Sequence, residues 1–415
     1  MGMTIAEKIL AQHSGQTEVK PGDVVVVGVD VILDLDLGFI IQGLHPMPTR
    51  VADPDKIVII PDHFMPAPST EAANGLKRMR QFAEKFGIKN FFPEGAHGIG
   101  HVVVAERGFA LPGKILACSD SHTCSAGAIN CLARGLGGAE MMYVICKGQT
   151  WYMLGPTTKI VLEGELPERV YARDVIHFLG GEYGDFANRN LEWHGEGVHS
   201  MAMPGRLTIT TMSAEVSAEF SIFPYDAVTE AYLDGRAQTS FEPAAPDPDA
   251  TYEDTITIDL GALEPQVVLP GRVPHNVVGI REVTGTKIDQ AFVGSCANGR
   301  LEDIALVAEM LKGRQIASGT RFIVTPGSQN IFREAVNAGY VETLLAAGVL
   351  FTNSTCGLCY GGHMGLLADE EVCITSSTRN FKGRMGSTTA KIYMGSPAAV
   401  TASAIKGVIT DPRDL

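Results

Sequence analysis

Gly294-Ser295-Cys296-Ala297-Asn298-Gly299-Arg300 and, downstream, Ser354-Thr355-Cys356-Gly357-Leu358-Cys359 place a lone cysteine and a Cys-x-x-Cys pair in two glycine-punctuated segments. Between them the pattern reads as a helix over Leu301–Leu311, a strand at Arg321–Val324 and a helix over 329–338. Both cysteine segments then fall on loops after strands, where open α/β sheets place ligands. Working outward, short apolar runs alternate with helical patterns through the whole chain, the signature of α/β layers. Residues 24–29, 56–60 and 159–162 read as strands. Ser69 or Thr70 caps a helix whose apolar positions Leu76, Met79, Phe82 and Phe86 recur at helical spacing up to Gly87, and a strand follows at 90–92.

Three thiolates are an odd number in a chain whose N-terminal Met1-Gly2-Met3-Thr4-Ile5-Ala6-Glu7-Lys8 shows neither a signal-peptide apolar core nor a transit-peptide composition. That arithmetic suggests an incompletely ligated iron–sulfur cluster. A cubane takes one thiolate per iron, so three would leave one iron open to water or substrate and able to act as a Lewis acid. Cys-x-x-Cys also serves structural zinc sites and thioredoxin-like redox motifs, or arises by chance. His363, four residues beyond Cys359, could complete a zinc set. Spacing alone leaves these alternatives open.

Composition bounds the class. With 415 residues, 45% hydrophobic and 19% charged, the chain can bury a large core and divide into two or three domains. Eight cysteines are too sparse for a disulfide framework in this length, which fits a reducing, cytoplasmic compartment. A formal charge of −14 without a Lys/Arg block argues against nucleic-acid binding, and no run approaches a membrane span. The proline-rich stretch 241–250 reads as a connector. Residues 126–147 read as one buried, glycine-rich helix. Gly135-Leu136-Gly137-Gly138 lies inside that run instead of between a strand and a helix, so dinucleotide binding is not expected.

Histidines and carboxylates recur near strand ends: Asp62-His63, His101 after Gly98-Ile99-Gly100, and Asp120-Ser121-His122-Thr123. Singly, each can be a turn residue or a satisfied core histidine. Together they suit general acid catalysis, because a carboxylate-oriented imidazole holds a proton near neutral pH. Arg379 and Arg384, in Thr378-Arg379-Asn380-Phe381-Lys382-Gly383-Arg384, either form an ordinary basic loop or offer paired donors to a di- or tricarboxylate.

Asp120-Ser121-His122-Thr123, the Cys296 segment, Cys356-Gly357-Leu358-Cys359 with Gly361-Gly362-His363-Met364-Gly365, and Arg379 to Arg384 resemble, in order and spacing, the aconitase superfamily, nearest its isopropylmalate dehydratase and homoaconitase large-subunit branch. The resemblance implies three α/β/α domains, 1–155, 156–275 and 276–415, around a 4Fe-4S cluster, and a hydro-lyase acting on small hydroxy-di- or tricarboxylates. It implies Cys296, Cys356 and Cys359 as cluster ligands with one iron free of cysteine. Asp62 and His63 match an acid pair for the leaving hydroxyl, His101 a histidine paired with Asp120, and His122 a histidine supported by Glu215. Ser121 belongs to the same substrate-facing turn, and Arg379 and Arg384 match substrate-carboxylate arginines. The swivelling domain of single-chain relatives is expected on a separate small subunit that also carries the base. Within the class, the resemblance embraces homoaconitase, citraconate or (R)-2-methylmalate hydro-lyase, maleate hydratase and dimethylmaleate hydratase; a non-catalytic iron- or redox-sensing protein is the reading from another class. Thr211, Thr378 and Ala297 depart from the asparagines and threonine usual in the family, and shorter hydroxyls change the donor count around the site.

Overall fold

The computed structural model describes residues 2–40 and 48–415, so Met1 of the N-terminal reading lies outside them. Its strands form three large sheets in successive blocks of sequence. The first is wholly parallel, in the order Asn90–Phe91, Ile57–Ile60, Val31–Leu35, Ile115–Cys118, Leu132–Gly135. Its strands are apolar almost without interruption, as expected of a sheet covered on both faces. Helix Thr70–Phe86 covers it with Leu76, Met79 and Phe82 inward, and the Ser69 hydroxyl accepts from Ala72 N at its start.

A second parallel sheet joins Ser221–Ile222, Asn190–His194, Thr157–Glu163 and Asp254–Asp259. The third has seven strands; its parallel part runs Lys391–Met394, Val372–Thr375, Gln290–Val293, Arg321–Val324, Leu350–Phe351. Strand Gln266–Val268 lies before the expected 275/276 boundary, yet it pairs with Val277–Gly279 and with Met394 in this third sheet. Its backbone hydrogen bonds carry it into the third unit. The connector over 241–250 folds back on the first: Asp247 accepts from Met3 N at 2.8 Å, and Ala244 N donates to Asn130 Oδ1 at 3.0 Å.

The expected single helix over 126–147 is three elements: a 3-10 run Ser121–Ile129, strand Leu132–Gly135 and helix Gly138–Lys147. The glycines serve close approach. A Cβ on Gly127 would stand 1.7 Å from the Ser221 carbonyl oxygen, and one on Gly135 would stand 2.4 Å from that of Asp120. Gly135-Leu136-Gly137-Gly138 therefore does sit between a strand and a helix. The helix start is taken by the chain's own carboxylate, Glu140 accepting from Gly137 N at 2.8 Å, where a pyrophosphate would otherwise bind.

Asp36, Asp62 and Asp120 follow the carboxyl ends of three adjacent strands of the first sheet. Cys296, Cys356 and Thr378-Arg379 follow carboxyl ends in the third. The two sheets face each other across these ends, since Cys356 N donates to the Asp62 carbonyl at 3.1 Å and the Thr355 hydroxyl to the same oxygen at 2.9 Å.

Candidate active site

Asp120 is the hub of the carboxylate–imidazole cluster. One oxygen, Oδ1, lies 3.0 Å from His101 Nε2 and accepts from His122 N at 2.8 Å. The other, Oδ2, lies 3.8 Å from His63 Nε2. Burial opposes its charge, but the hydrogen bonds from His101 and His122 hold its carboxyl well below the usual range. His122 then reaches Glu215 Oε1 at 2.8 Å. Burial would neutralise this imidazole, yet Asp120 and Glu215 raise its pKa to about 9. Glu215 also accepts from Arg379 Nε at 2.8 Å, and Arg379 Nη2 donates to the exposed Ser121 hydroxyl at 2.9 Å.

His63 sits among carboxylates. Its Nδ1 is 2.9 Å from Asp62 Oδ1 and 3.5 Å from Asp36 Oδ1, shared between them without the alignment of a full hydrogen bond to either. Against burial, those two charges raise its pKa well above normal. Asp62 Oδ2 accepts from Gly100 N at 2.8 Å, and Asp36 accepts from the amides of His63 and Phe64. Asp36 is the residue that sequence reasoning missed. Its only signal is a carboxylate directly after the strand Val31–Leu35, which itself carries a second buried carboxylate, Asp34.

Cys296, Cys356 and Cys359, on loops of the third sheet, are buried and free. The helical turn Ser295–Asn298, carrying Cys296, packs against the 3-10 turn Gly357–Tyr360 that carries Cys359. A hydrogen bond with the Cys356 thiol, then the Arg384 charge and the Thr378 hydroxyl, hold Cys359 well below the usual thiol range against burial. Thr378 Oγ1 is 3.3 Å from its sulfur, and Arg384 Nε donates to its carbonyl at 2.7 Å. Cys296 is pushed up by burial, then by Cys359, Asp120 and Asp62. Asp62, His63 and Cys356 bring potential ligand atoms within 4.8 Å of one another, so the acid pair and the thiols share one site.

This donor set fits a metal cluster. Three thiols and several carboxylates converge where a lone thiolate would be costly, whereas a coordinating metal deprotonates its thiols outright. His363 does not complete a zinc set with Nε2, which lies 2.8 Å from the Pro66 carbonyl. Of the departures, Thr378 does reach a cysteine sulfur, while Thr211 bonds its own helix at the Leu207 carbonyl, 2.5 Å away. Ala297 offers only backbone, its carbonyl accepting from the Thr208 hydroxyl at 2.9 Å.

Residues 7–407 match the model of the Aconitase family (aconitate hydratase). The chain is 50% identical over 415 residues to the 3-isopropylmalate dehydratase large subunit of Mycolicibacterium smegmatis, covering 100% of this chain and 98% of that one. It is 43% identical over 418 residues to 3-isopropylmalate dehydratase large subunit 1 of Methanopyrus kandleri, covering 100% and 99%. Among solved structures it is similar to the holo-form of Thermococcus kodakaraensis aconitase X, with TM-score 0.50, 12% identity, and 86% and 84% of the two chains covered. That likeness speaks to the fold.

Proposed function

The chain belongs to the aconitase family, and from that premise we propose that it is the large catalytic subunit of a 3-isopropylmalate dehydratase, interconverting 2- and 3-isopropylmalate by loss and return of water. One observation carries the reading: three buried thiols share a site with a carboxylate–imidazole cluster and two arginines. Cys296, Cys356 and Cys359 would hold a 4Fe-4S cluster. When bound, it supplies an iron without a cysteine ligand, a Lewis acid for the substrate hydroxyl and carboxylate.

The chain's own groups do the rest. His63, kept protonated by Asp62 and Asp36, gives its proton to the departing hydroxyl. Asp120 orients His101 and, with Glu215, keeps His122 an imidazolium at neutral pH. Arg384 and Arg379 hold carboxylates; Arg379 exchanges Glu215 and Ser121 for substrate as it does so. Each charge-assisted bond so formed is worth about 1.5 to 3 kcal/mol. Abstraction of the carbon-bound proton falls to a base on a partner small subunit. Supporting that partner, the relatives of M. smegmatis and M. kandleri are both named as large subunits. Among the described residues no helix is long and apolar enough to cross a membrane, and we place the enzyme in the cytoplasm.

The test is a substrate panel on anaerobically reconstituted chain with a small subunit of the isopropylmalate-dehydratase type. Preferential turnover of isopropylmalate is expected. Preference for homoaconitate, maleate or citraconate would overturn the substrate and leave the hydro-lyase class standing.

A further inference from the structure

Arg173 lies in helix Ala172–Glu182, beside the second sheet, and is fully buried. Its Nη1 donates to Asn298 Oδ1 and to the Ser376 carbonyl, each at 2.7 Å, and its Nη2 donates to the Ser377 carbonyl. Among the described residues no carboxylate lies within ion-pair distance of it. Asp174 is turned instead to the amides of Tyr171 and Gln266. A guanidinium in a dry interior without a carboxylate is costly unless something nearby needs its charge. The acceptors say what that is. Asn298 stands two residues after Cys296, and Ser376-Ser377 lead directly to Thr378, whose hydroxyl faces Cys359.

We propose that Arg173 is the buried counter-charge of the thiol site, a positioning residue that ties the Cys296 loop to the Thr378 loop and offsets the negative charge of a three-thiolate cluster. This rests on the cluster reading above. Burial pulls the guanidinium down to about 10, with Asp174, Cys359, Asp303 and Cys296 opposing, so it remains a cation at neutral pH. The second unit grips the loop again through Thr208, which donates to the Ala297 carbonyl. Arg173 and Thr208 thus join Glu215 as links by which a unit without cysteines shapes the site.

The experiment compares the full chain with Arg173→Gln and Arg173→Lys after anaerobic reconstitution. It reads iron and sulfide per chain, the cluster's reduction potential, and the rate at which its visible absorption bleaches in air. The Gln variant is expected at a more negative potential, because removing a positive charge disfavours the reduced form, and to bleach about tenfold faster, on the scale of the roughly tenfold or greater loss of metal affinity that follows removal of an outer-shell partner. The Lys variant keeps the charge and loses the fork, so its potential should stay near wild type while bleaching still accelerates. Wild-type potential and bleaching in folded Arg173→Gln would overturn the proposal. If that variant does not fold, the Lys variant decides, and wild-type bleaching in it overturns the proposal. Wild-type chain that binds no iron and sulfide refutes the cluster reading itself, a result that needs no Arg173 variant.

Discussion

Two sets of cysteines flank the same site, and Cys359 of the second set is treated in the opposite way to the whole of the first. Cys118 and Cys124 bracket the Asp120 turn. Cys124 gives its proton to the Thr210 carbonyl at 3.0 Å, and burial pushes its thiol up to about 12. Cys118 is sealed inside a strand and pushed up by burial and by Asp120. Across the site, Cys359 accepts from the Arg384 guanidinium and lies 3.3 Å from the Thr378 hydroxyl. A thiol that donates to a carbonyl is a packing group; one that collects donors is prepared as a thiolate. Proximity to the carboxylate–imidazole cluster does not by itself distinguish the two sets. What sets the second group apart is convergence: the turns carrying Cys296 and Cys359 pack together and Cys356 hydrogen-bonds Cys359, although Cys296 and Cys356 are themselves raised, as Cys118 and Cys124 are.

The largest effect should come from Cys296→Ser, Cys356→Ser or Cys359→Ser, each abolishing cluster retention and activity. The double variant Cys118→Ala with Cys124→Ser should keep full iron and sulfide. Metal analysis of folded protein separates the two sets, and cluster loss in the double variant would mean that the ligands have been misassigned.

Next in size are the arginines. Arg379→Lys and Arg384→Lys keep charge but lose the planar fork, so kcat/KM should fall about ten- to a hundredfold, the equivalent of one lost charge-assisted bond. Iron content should hold. Wild-type kinetics in both variants would remove them from the substrate site.

A smaller effect lies in pH. His122 has a folded-state pKa near 9, above its unfolded value. Its contribution to stability is therefore complete below about pH 6.5 and is lost as pH rises through 9. The stability of the cluster-free chain against unfolding should fall by a few kcal/mol across that window. The slope should flatten in His122→Gln, and an unchanged slope would show that Asp120 and Glu215 do not hold its proton.

The smallest change belongs to the departing residues. Thr378→Val removes one hydroxyl from Cys359 and should raise cluster lability modestly, by the equivalent of about 1 kcal/mol. Thr211→Val, which loses only a bond to its own helix, should leave the cluster unaffected. Equal effects on cluster lability would erase the distinction between the two hydroxyls.

The sequence spoke most clearly where the physics is local. Helix Thr70–Phe86 is written in the spacing of Leu76, Met79 and Phe82 and in its Ser69 cap. The thiols were visible as an odd count. Where tertiary contact decides, the reading failed: the glycines at 127 and 135 looked like close helix packing and instead let backbone meet backbone. Asp36 is one carboxylate after one strand, and nothing local says that it faces His63. Glu215 came from family resemblance alone, and Arg173 is an ordinary helix arginine until Asn298, Ser376 and Ser377 are folded around it.

The most direct test is Mössbauer spectroscopy of chain reconstituted with enriched iron, with and without 2-isopropylmalate. A cubane held by Cys296, Cys356 and Cys359 has one iron that is chemically unlike the other three. Its signal alone should shift when substrate binds, and adding the small subunit should then start turnover. A spectrum indifferent to substrate, or an active enzyme that contains zinc and no iron, would contradict the assignment.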